Sequence, residues 1–197
     1  MSKQHKTDSA AIFSAEAIES EIKREKYKLR YKRILKSAVY SLIVVAAIAA
    51  LIATLVLPVL QISGTSMEPT LNNGEIVVLF KTSHLKRGDL CGFSYSNKIL
   101  IKRVIGLPGD TIVIDKNGTV EVNGEALDEP YITEPGLGEC DIEFPYTVPE
   151  NEFFLMGDHR ATSIDSRNTV IGCVPQDQIV GKIFLKVWPL SDFSFIN

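Results

Sequence analysis

Hydrophobic and polar positions change rhythm along this chain of 197 residues. Residues 1–13 are polar and are expected to lack regular structure. Residues 14–36 interleave Glu with Lys and Arg at spacings of three and four, which predicts a solvated helix. From Ser37 to Met67 no charged residue occurs, and Ala38–Leu57 is almost wholly Ala, Val, Ile and Leu. About 20 such residues as a helix match the hydrocarbon core of a bilayer. Pro58 falls at the far end, where a helix break costs least. A core helix of a soluble protein rarely runs so long without a polar interruption, so residues 37–61 are read as a transmembrane anchor.

Past residue 63 the pattern shortens to that of strands. Glu75–Phe80, Ile99–Val104, Thr111–Ile114, Val120–Val122, Phe153–Met156 and Ile179–Trp188 are short runs rich in β-formers. Asn117-Gly118 and Asn123-Gly124 are hairpin signals. Residues 128–150 carry Pro130, Pro135, Pro145, Pro149, Gly136 and Gly138, and read as an irregular excursion. The expected fold is mainly β: one domain over residues 62–197, preceded by one transmembrane helix. About 135 residues suffice for a domain with a real core.

Charge orients the span. Residues 1–36 hold ten Lys/Arg and five Asp/Glu, whereas residues 37–197 hold eleven basic and nineteen acidic residues. Lys23, Arg24, Lys26, Lys28, Arg30, Lys32, Arg33 and Lys36 crowd one flank. By the positive-inside rule residues 1–36 are a cytoplasmic basic segment and residues 62–197 lie outside the cytoplasm. A run of cations can also serve nucleic acid, but its place beside the span favours the topological reading, and no nucleic-acid partner is expected. A cleaved signal peptide fits poorly. The preceding basic region is too long, the apolar run exceeds the usual ~7–15 residues, and no clean A-x-A site follows. Cys91, Cys140 and Cys173 make no dense disulfide framework, and sequence does not choose a pair. No metal-ligand spacing is visible, and no cofactor is expected.

Ser66, in Ser63-Gly64-Thr65-Ser66-Met67-Glu68-Pro69-Thr70-Leu71, lies just beyond the span. A serine nucleophile needs a base. His5 falls on the cytoplasmic side and His84 in a Lys/Arg-rich turn. His159, in Gly157-Asp158-His159-Arg160, is one candidate. Lys102 is the other, inside the apolar run Ile99-Leu100-Ile101-Lys102-Arg103-Val104-Ile105. Desolvation there lowers a lysine pKa from about 10.4 and leaves an amine able to take a proton. An edge-strand lysine with its ammonium in water has the same local sequence. Arg103 is expected behind the site, since adjacent strand residues point to opposite faces. Gly157–Arg167 is dense in short polar groups, with Ser163 placed to hold an amine and Asp165 and Arg167 suited to an ion pair.

Together these segments resemble the bacterial type I signal peptidases, membrane-bound serine proteases that remove signal peptides. Ser63–Leu71 is similar to the family's nucleophile segment, Lys102–Asp110 to its general-base segment and Gly157–Arg167 to its C-terminal segment. Arg87-Gly88-Asp89 is similar to a fourth, weaker one. The resemblance covers about residues 37–190, and the single span and short outer domain look like the Gram-positive form. It implies Ser66 as nucleophile and Lys102 as general base. It also implies that Ser163 orients Lys102 and that Asp165 pairs with Arg103 and Arg167. Two departures stand out. Gly64 replaces a serine that in some members donates to the oxyanion, and His159 stands where the family often has asparagine. Cys91-Gly92 makes the strand after Asp89 uncertain.

The implied activity is endoproteolysis of exported preproteins by acyl transfer at the outer membrane surface. Substrates are expected to carry small residues one and three positions before the cut. Their extended segment would add as a strand beside Leu100–Lys102, with Ile62, Met67, Leu71, Leu100 and Ile101 as candidate pocket walls. Membrane lipid is the other expected partner; the oligomeric state is unknown from sequence. Two rivals are a soluble Ser/Lys self-cleaving repressor, which would have no anchor, and a non-catalytic assembly protein, which would not need Ser66, Lys102, Ser163 and Asp165 together.

Overall fold

A computed structural model describes residues 4–196. It divides into two compact units, 1–53 and 54–197. The first consists of most of one helix, α1 (Gln4–Val56). Glu19–Lys23, Glu21–Arg24 and Glu25–Lys28 pair along its surface, as the sequence spacing predicts. Its helical backbone starts at Gln4, so the part of 1–13 that is described is helix rather than irregular chain. Farther along, Val39, Leu42, Ile43, Val44, Val45, Ile48 and Leu51 are all exposed. A helix that is apolar all round belongs in a protein core or a membrane, and among the described residues this one is left uncovered. Its stretch Ile18–Leu51 is the one helix among the described residues long and apolar enough to cross a bilayer. The helix stops at Val56, two residues before Pro58. Val59–Gln61, placed at sequence level within the anchor, is instead the first strand.

The second unit is β-rich, as expected. Its strands are β1 (Val59–Gln61), β2 (Ile76–Phe80), β3 (Leu90–Tyr95), β4 (Lys98–Gly106), β5 (Thr111–Ile114), β6 (Val120–Val122), β7 (Glu125–Ala126), β8 (Tyr146–Thr147), β9 (Glu152–Met156), β10 (Val174–Pro175), β11 (Ile179–Trp188) and β12 (Ser194–Phe195). The larger sheet runs β1-β2-β11-β3-β4-β9-β10, with β12 added to β11; the smaller runs β7-β6-β5-β8. The Asn123-Gly124 hairpin forms with both residues at positive φ, the backbone a two-residue primed turn demands. β3 forms despite Cys91-Gly92. A Cβ on Gly92 would lie 2.8 Å from Leu79 Cδ2, so close packing, not strand breaking, explains the glycine.

Three apolar clusters support the site. Ile62, Met67, Leu71, Val77, Leu79, Leu90 and Ile183 pack beneath the Ser66 loop. Cys91, Phe93, Val104, Phe153 and Leu155 form a second group around β3, β4 and β9. Ile105, Ile112, Val122, Phe154 and Met156 tie the small sheet to β4 and β9.

The pairing of β4 matters most. β3 pairs with β4 over Lys98–Arg103, whereas β9 takes the other edge only from Arg103 onward. The edge of Lys98–Lys102 opposite β3 is therefore unpaired within the sheet. Exposure falls along the same strand, from exposed Lys98 and Ile99 to fully buried Val104.

Candidate active site

Ser66 sits in a tight turn that the surrounding backbone holds at both ends. Glu68 N–H donates to Thr65 O at 3.0 Å and Leu71 N–H to Met67 O at 2.9 Å. His159 N–H donates to Ser66 O at 3.1 Å, which ties the turn to the 157–167 loop. Before the serine, Gly64 has φ +100 and its N–H donates to Asn73 Oδ1 at 3.0 Å. A Cβ there would touch nothing within 4 Å. The glycine answers the backbone dihedral rather than a lack of space, and a serine in its place would be strained.

Lys102 comes to this turn from β4. Its Nζ lies 2.8 Å from Ser66 Oγ, and the residue is 4% exposed. Burial drives its pKa down from 10.5 to about 8. The charges of Asp165 and Asp158 oppose the fall, and that of Arg167 aids it. Of the two bases open at sequence level, Lys102 is the one bonded to the hydroxyl. The His159 ring lines a separate cavity with Glu68, Pro69, Thr133 and Glu134, and its Nδ1 is buried without a hydrogen-bond partner. His84 is exposed.

The charged support differs from the sequence expectation in two ways. Asp165 pairs with Arg167 alone, both fully buried, through Nε and Nη2 at 2.8 Å each. Arg103 instead pairs with Asp158, through Nε at 2.8 Å and Nη2 at 2.6 Å. It also donates to Gly88 O and stacks 3.7 Å from the Tyr131 ring centre. The reason lies in the strand: Arg103 leaves β4 away from the Asp165 side, toward the turn after Ser66. There Thr70 Oγ1 donates to Asp158 Oδ2 at 2.5 Å. Ser163, expected to hold Lys102, donates its hydroxyl to Asp165 Oδ2 at 2.6 Å. It acts on the carboxylate and not directly on the amine. Asp165 also accepts the Gly157 N–H at 2.9 Å. Burial alone would raise its pKa, but the Arg167 hydrogen bonds and charge, Ser163 and the Gly157 amide outweigh it and hold the carboxyl below its ordinary range.

Sequence reasoning missed Asp158 as the Arg103 partner, and also the strap that closes the loop from behind. Buried Arg160 donates to Gly157 O and, twice, to Glu129, while Arg167 donates to Leu137 O. The excursion after residue 128 is thus fastened to the 157–167 loop by two arginines. No local signal foretells these pairings, which only tertiary proximity creates. Among the described residues no group of three or more His, Cys, Asp or Glu is arranged to hold a metal ion. Cys91, Cys140 and Cys173 are unpaired thiols.

A groove of about 400 Å³ opens at the pair. Leu60 through Gly64, Ser66 and Met67 line it on one side and Asn97, Ile99, Leu100, Ile101 and Lys102 on the other. Of the candidate pocket residues, Ile62, Met67, Leu100 and Ile101 line this groove. Leu71 does not: the turn after Met67 rotates it inward, and it is fully buried against Val77 and Leu79. The arrangement sets a hydroxyl and a buried amine in hydrogen-bond contact at the end of an unpaired strand edge.

The signal peptidase, peptidase S26, family model matches residues 35–188. The chain is 33% identical over 184 residues to a signal peptidase IB from Staphylococcus aureus, covering 83% of this chain and 95% of that one. It is 34% identical over 167 residues to a signal peptidase I from Bacillus licheniformis, covering 78% and 89%. A crystal structure of a signal peptidase I from Enterococcus faecalis V583 aligns at a TM-score of 0.42 with 29% identity, covering 50% of this chain and 95% of that one. With most of its length matched, and with relatives this similar end to end, this chain belongs to the signal peptidase family, peptidase S26, whose members are serine endopeptidases.

Proposed function

We propose that this chain is a membrane-anchored signal peptidase I that cleaves signal peptides from exported preproteins with a Ser66/Lys102 dyad. The observation that carries the mechanism is the 2.8 Å contact between the buried Lys102 amine and Ser66 Oγ. Neutral Lys102 takes the Ser66 proton as Oγ bonds to the scissile carbonyl carbon. The tetrahedral oxyanion is met by the Ser66 N–H, in the absence of a side chain at Gly64. Lys102, now an ammonium, gives its proton to the leaving amine as the C–N bond breaks. The acyl-enzyme remains on Ser66. Lys102 then deprotonates the water that attacks the ester carbonyl, and returns that proton to Ser66 Oγ as the acyl C–O bond breaks, which releases the signal peptide carboxylate and restores the free dyad.

The substrate lies extended along the open edge of Lys98–Lys102 and pairs with it through main-chain hydrogen bonds. Alternate side chains then face the groove, so the residues one and three before the cut share one wall. The apolar walls that Ile62, Met67, Leu100 and Ile101 add to the groove favour small, uncharged residues at both. Residues 1–36 stay in the cytoplasm and residues 62–197 face outward, because the basic residues flank the apolar stretch of α1 on one side. Anchor and signal peptide then share one bilayer, which raises their effective concentration.

The test is full-length protein in detergent or lipid vesicles mixed with a preprotein. Wild type releases the mature chain, with the new N-terminus read by mass spectrometry. Ser66→Ala and Lys102→Ala release none. Turnover at the wild-type rate by either variant overturns the dyad.

A further inference from the structure

The far end of the groove carries a polar group that neither the dyad nor the fold uses. β3 and β4 are joined by a two-residue turn in which Ser96 and Asn97 have φ of 44 and 63. That backbone calls for Asn or Gly but makes no use of a side-chain amide. The turn residues Asn117 and Asn123 spend theirs on the protein: Asn117 bonds to Asp115, and Asn123 bonds to Asp110 and to the Thr111 N–H. The Asn97 side-chain amide has no protein partner among the described residues, and the exposed Asn97 lines the same groove as Ser66 and Lys102.

The direction of the groove follows from its walls. Both converge on the dyad in chain order, Leu60 toward Ser66 and Asn97 toward Lys102, and β9 closes the edge of β4 beyond Lys102. Leu60 lies four residues after the end of α1 at Val56, within about 14 Å along the chain. The apolar part of a signal peptide occupies the same membrane as α1, so the residues upstream of the cut enter at the Leu60 and Asn97 end. A strand in register with β4, with its last residue before the cut level with Lys102, brings the fifth residue before the cut level with Lys98. That residue is about 13 Å upstream of the last one and shares its groove-facing side.

Resting on the proposed activity, we infer that Asn97 is a specificity-determining residue: its amide hydrogen-bonds a polar side chain on the substrate residue five positions before the cut. The donor and acceptor of a carboxamide suit Ser, Thr, Asn or Gln there.

The experiment uses full-length protein in lipid vesicles and peptides with Ala one and three before the cut, varied singly at positions four to seven before it. Ser is compared with Ala, and Asn with Leu. Wild type is expected to favour the polar member at position five by about three- to ten-fold in kcat/KM, the range of one net hydrogen bond. Asn97→Gly keeps the positive φ and removes only the amide, and the ratio is expected to fall to about one. An equal ratio in wild type and Asn97→Gly overturns the inference, as does a preference found only at another position. Failure of the proposed activity looks different: wild type then cuts none of the peptides, or Ser66→Ala cuts them all.

Discussion

Replacing Lys102 by Met tests the assertion that burial, rather than a partner charge, sets the state of the base. Met is close in length and carries no charge. The fall of the Lys102 pKa from 10.5 to about 8 corresponds to about 3 kcal/mol at about 1.4 kcal/mol per pH unit. The sign follows from proton binding. Between pH 8 and 10.5 the unfolded chain holds the Lys102 proton and the folded one does not, so wild-type stability gains with rising pH across that window. Below pH 8 both states are protonated and the folded state bears the full cost of a buried ammonium. Every other titrating group is common to both proteins. The stability of Lys102→Met minus that of wild type should therefore be about 3 kcal/mol more favourable at pH 7 than at pH 10.5. The assay is urea unfolding of full-length protein in detergent, followed by the fluorescence of Trp188, the chain's one tryptophan. Trp188 closes β11 and so reads the β unit and not α1. Hydrolysis should vanish in the variant. A stability difference that stays constant from pH 7 to 10.5 refutes the reasoning, because a lysine whose charge is solvated or paired has no such dependence.

Wild-type kcat/KM should rise with pH and level off above about 8, since only neutral Lys102 can accept the Ser66 proton; a rate that falls across this range names another base. Gly157→Ala should abolish activity and lower stability by about 1–3 kcal/mol or more. Its Cβ would lie 2.5 Å from Ser66 O and overlap Ser163 Oγ; thermal unfolding and preprotein cleavage check both. Asp165→Asn should cost about 3–5 kcal/mol by leaving the Arg167 guanidinium buried without a counter-charge, measured by urea unfolding. Gly64→Ser should cost about 1–2 kcal/mol for its φ of +100, seen as a lowered urea midpoint.

The sequence revealed the elements that carry their own pattern. α1, β2, β4, β5, β6, β9 and β11 follow from charge spacing, apolar length or β-formers. β1, β7, β8, β10 and β12 are two or three residues long and exist because a neighbour pairs with them. Unlike Val120–Val122, none of these carries an apolar–polar–apolar alternation of its own. β3 was obscured for another reason: Gly92 reads as a breaker until Leu79 is seen against it. The groove was legible where apolar residues flank Ser66 and Lys102. Leu60, Gln61, Asn97 and Ile99 were not legible as groove residues. Leu60 and Gln61 enter through β1, which forms by pairing with β2, and Asn97 and Ile99 through the edge of β4 that β9 leaves unpaired; both are properties of topology. Leu71 failed for a local reason, one turn of backbone beyond Met67.

The arginine pairing decides more than rigidity. Asp165 and Asp158 both act to keep Lys102 charged, and together they lie close enough to register in its titration. Had Asp165 taken both Arg103 and Arg167, as the family resemblance implies, Asp158 would face the site without a cation of its own. A free buried carboxylate near an amine favours the ammonium, and Lys102 would then be a poor base near neutral pH. In the structure each carboxylate has one arginine, Asp158 with Arg103 and Asp165 with Arg167. Ser163 and the Gly157 amide further occupy Asp165, and Thr70 further occupies Asp158. With both carboxylates matched, desolvation becomes the largest influence on Lys102. On the proposed mechanism the two ion pairs serve the dyad without touching the serine: they hold the turn and the loop, and they keep two nearby negative charges from retaining the proton that Lys102 would have to lose before accepting one from Ser66.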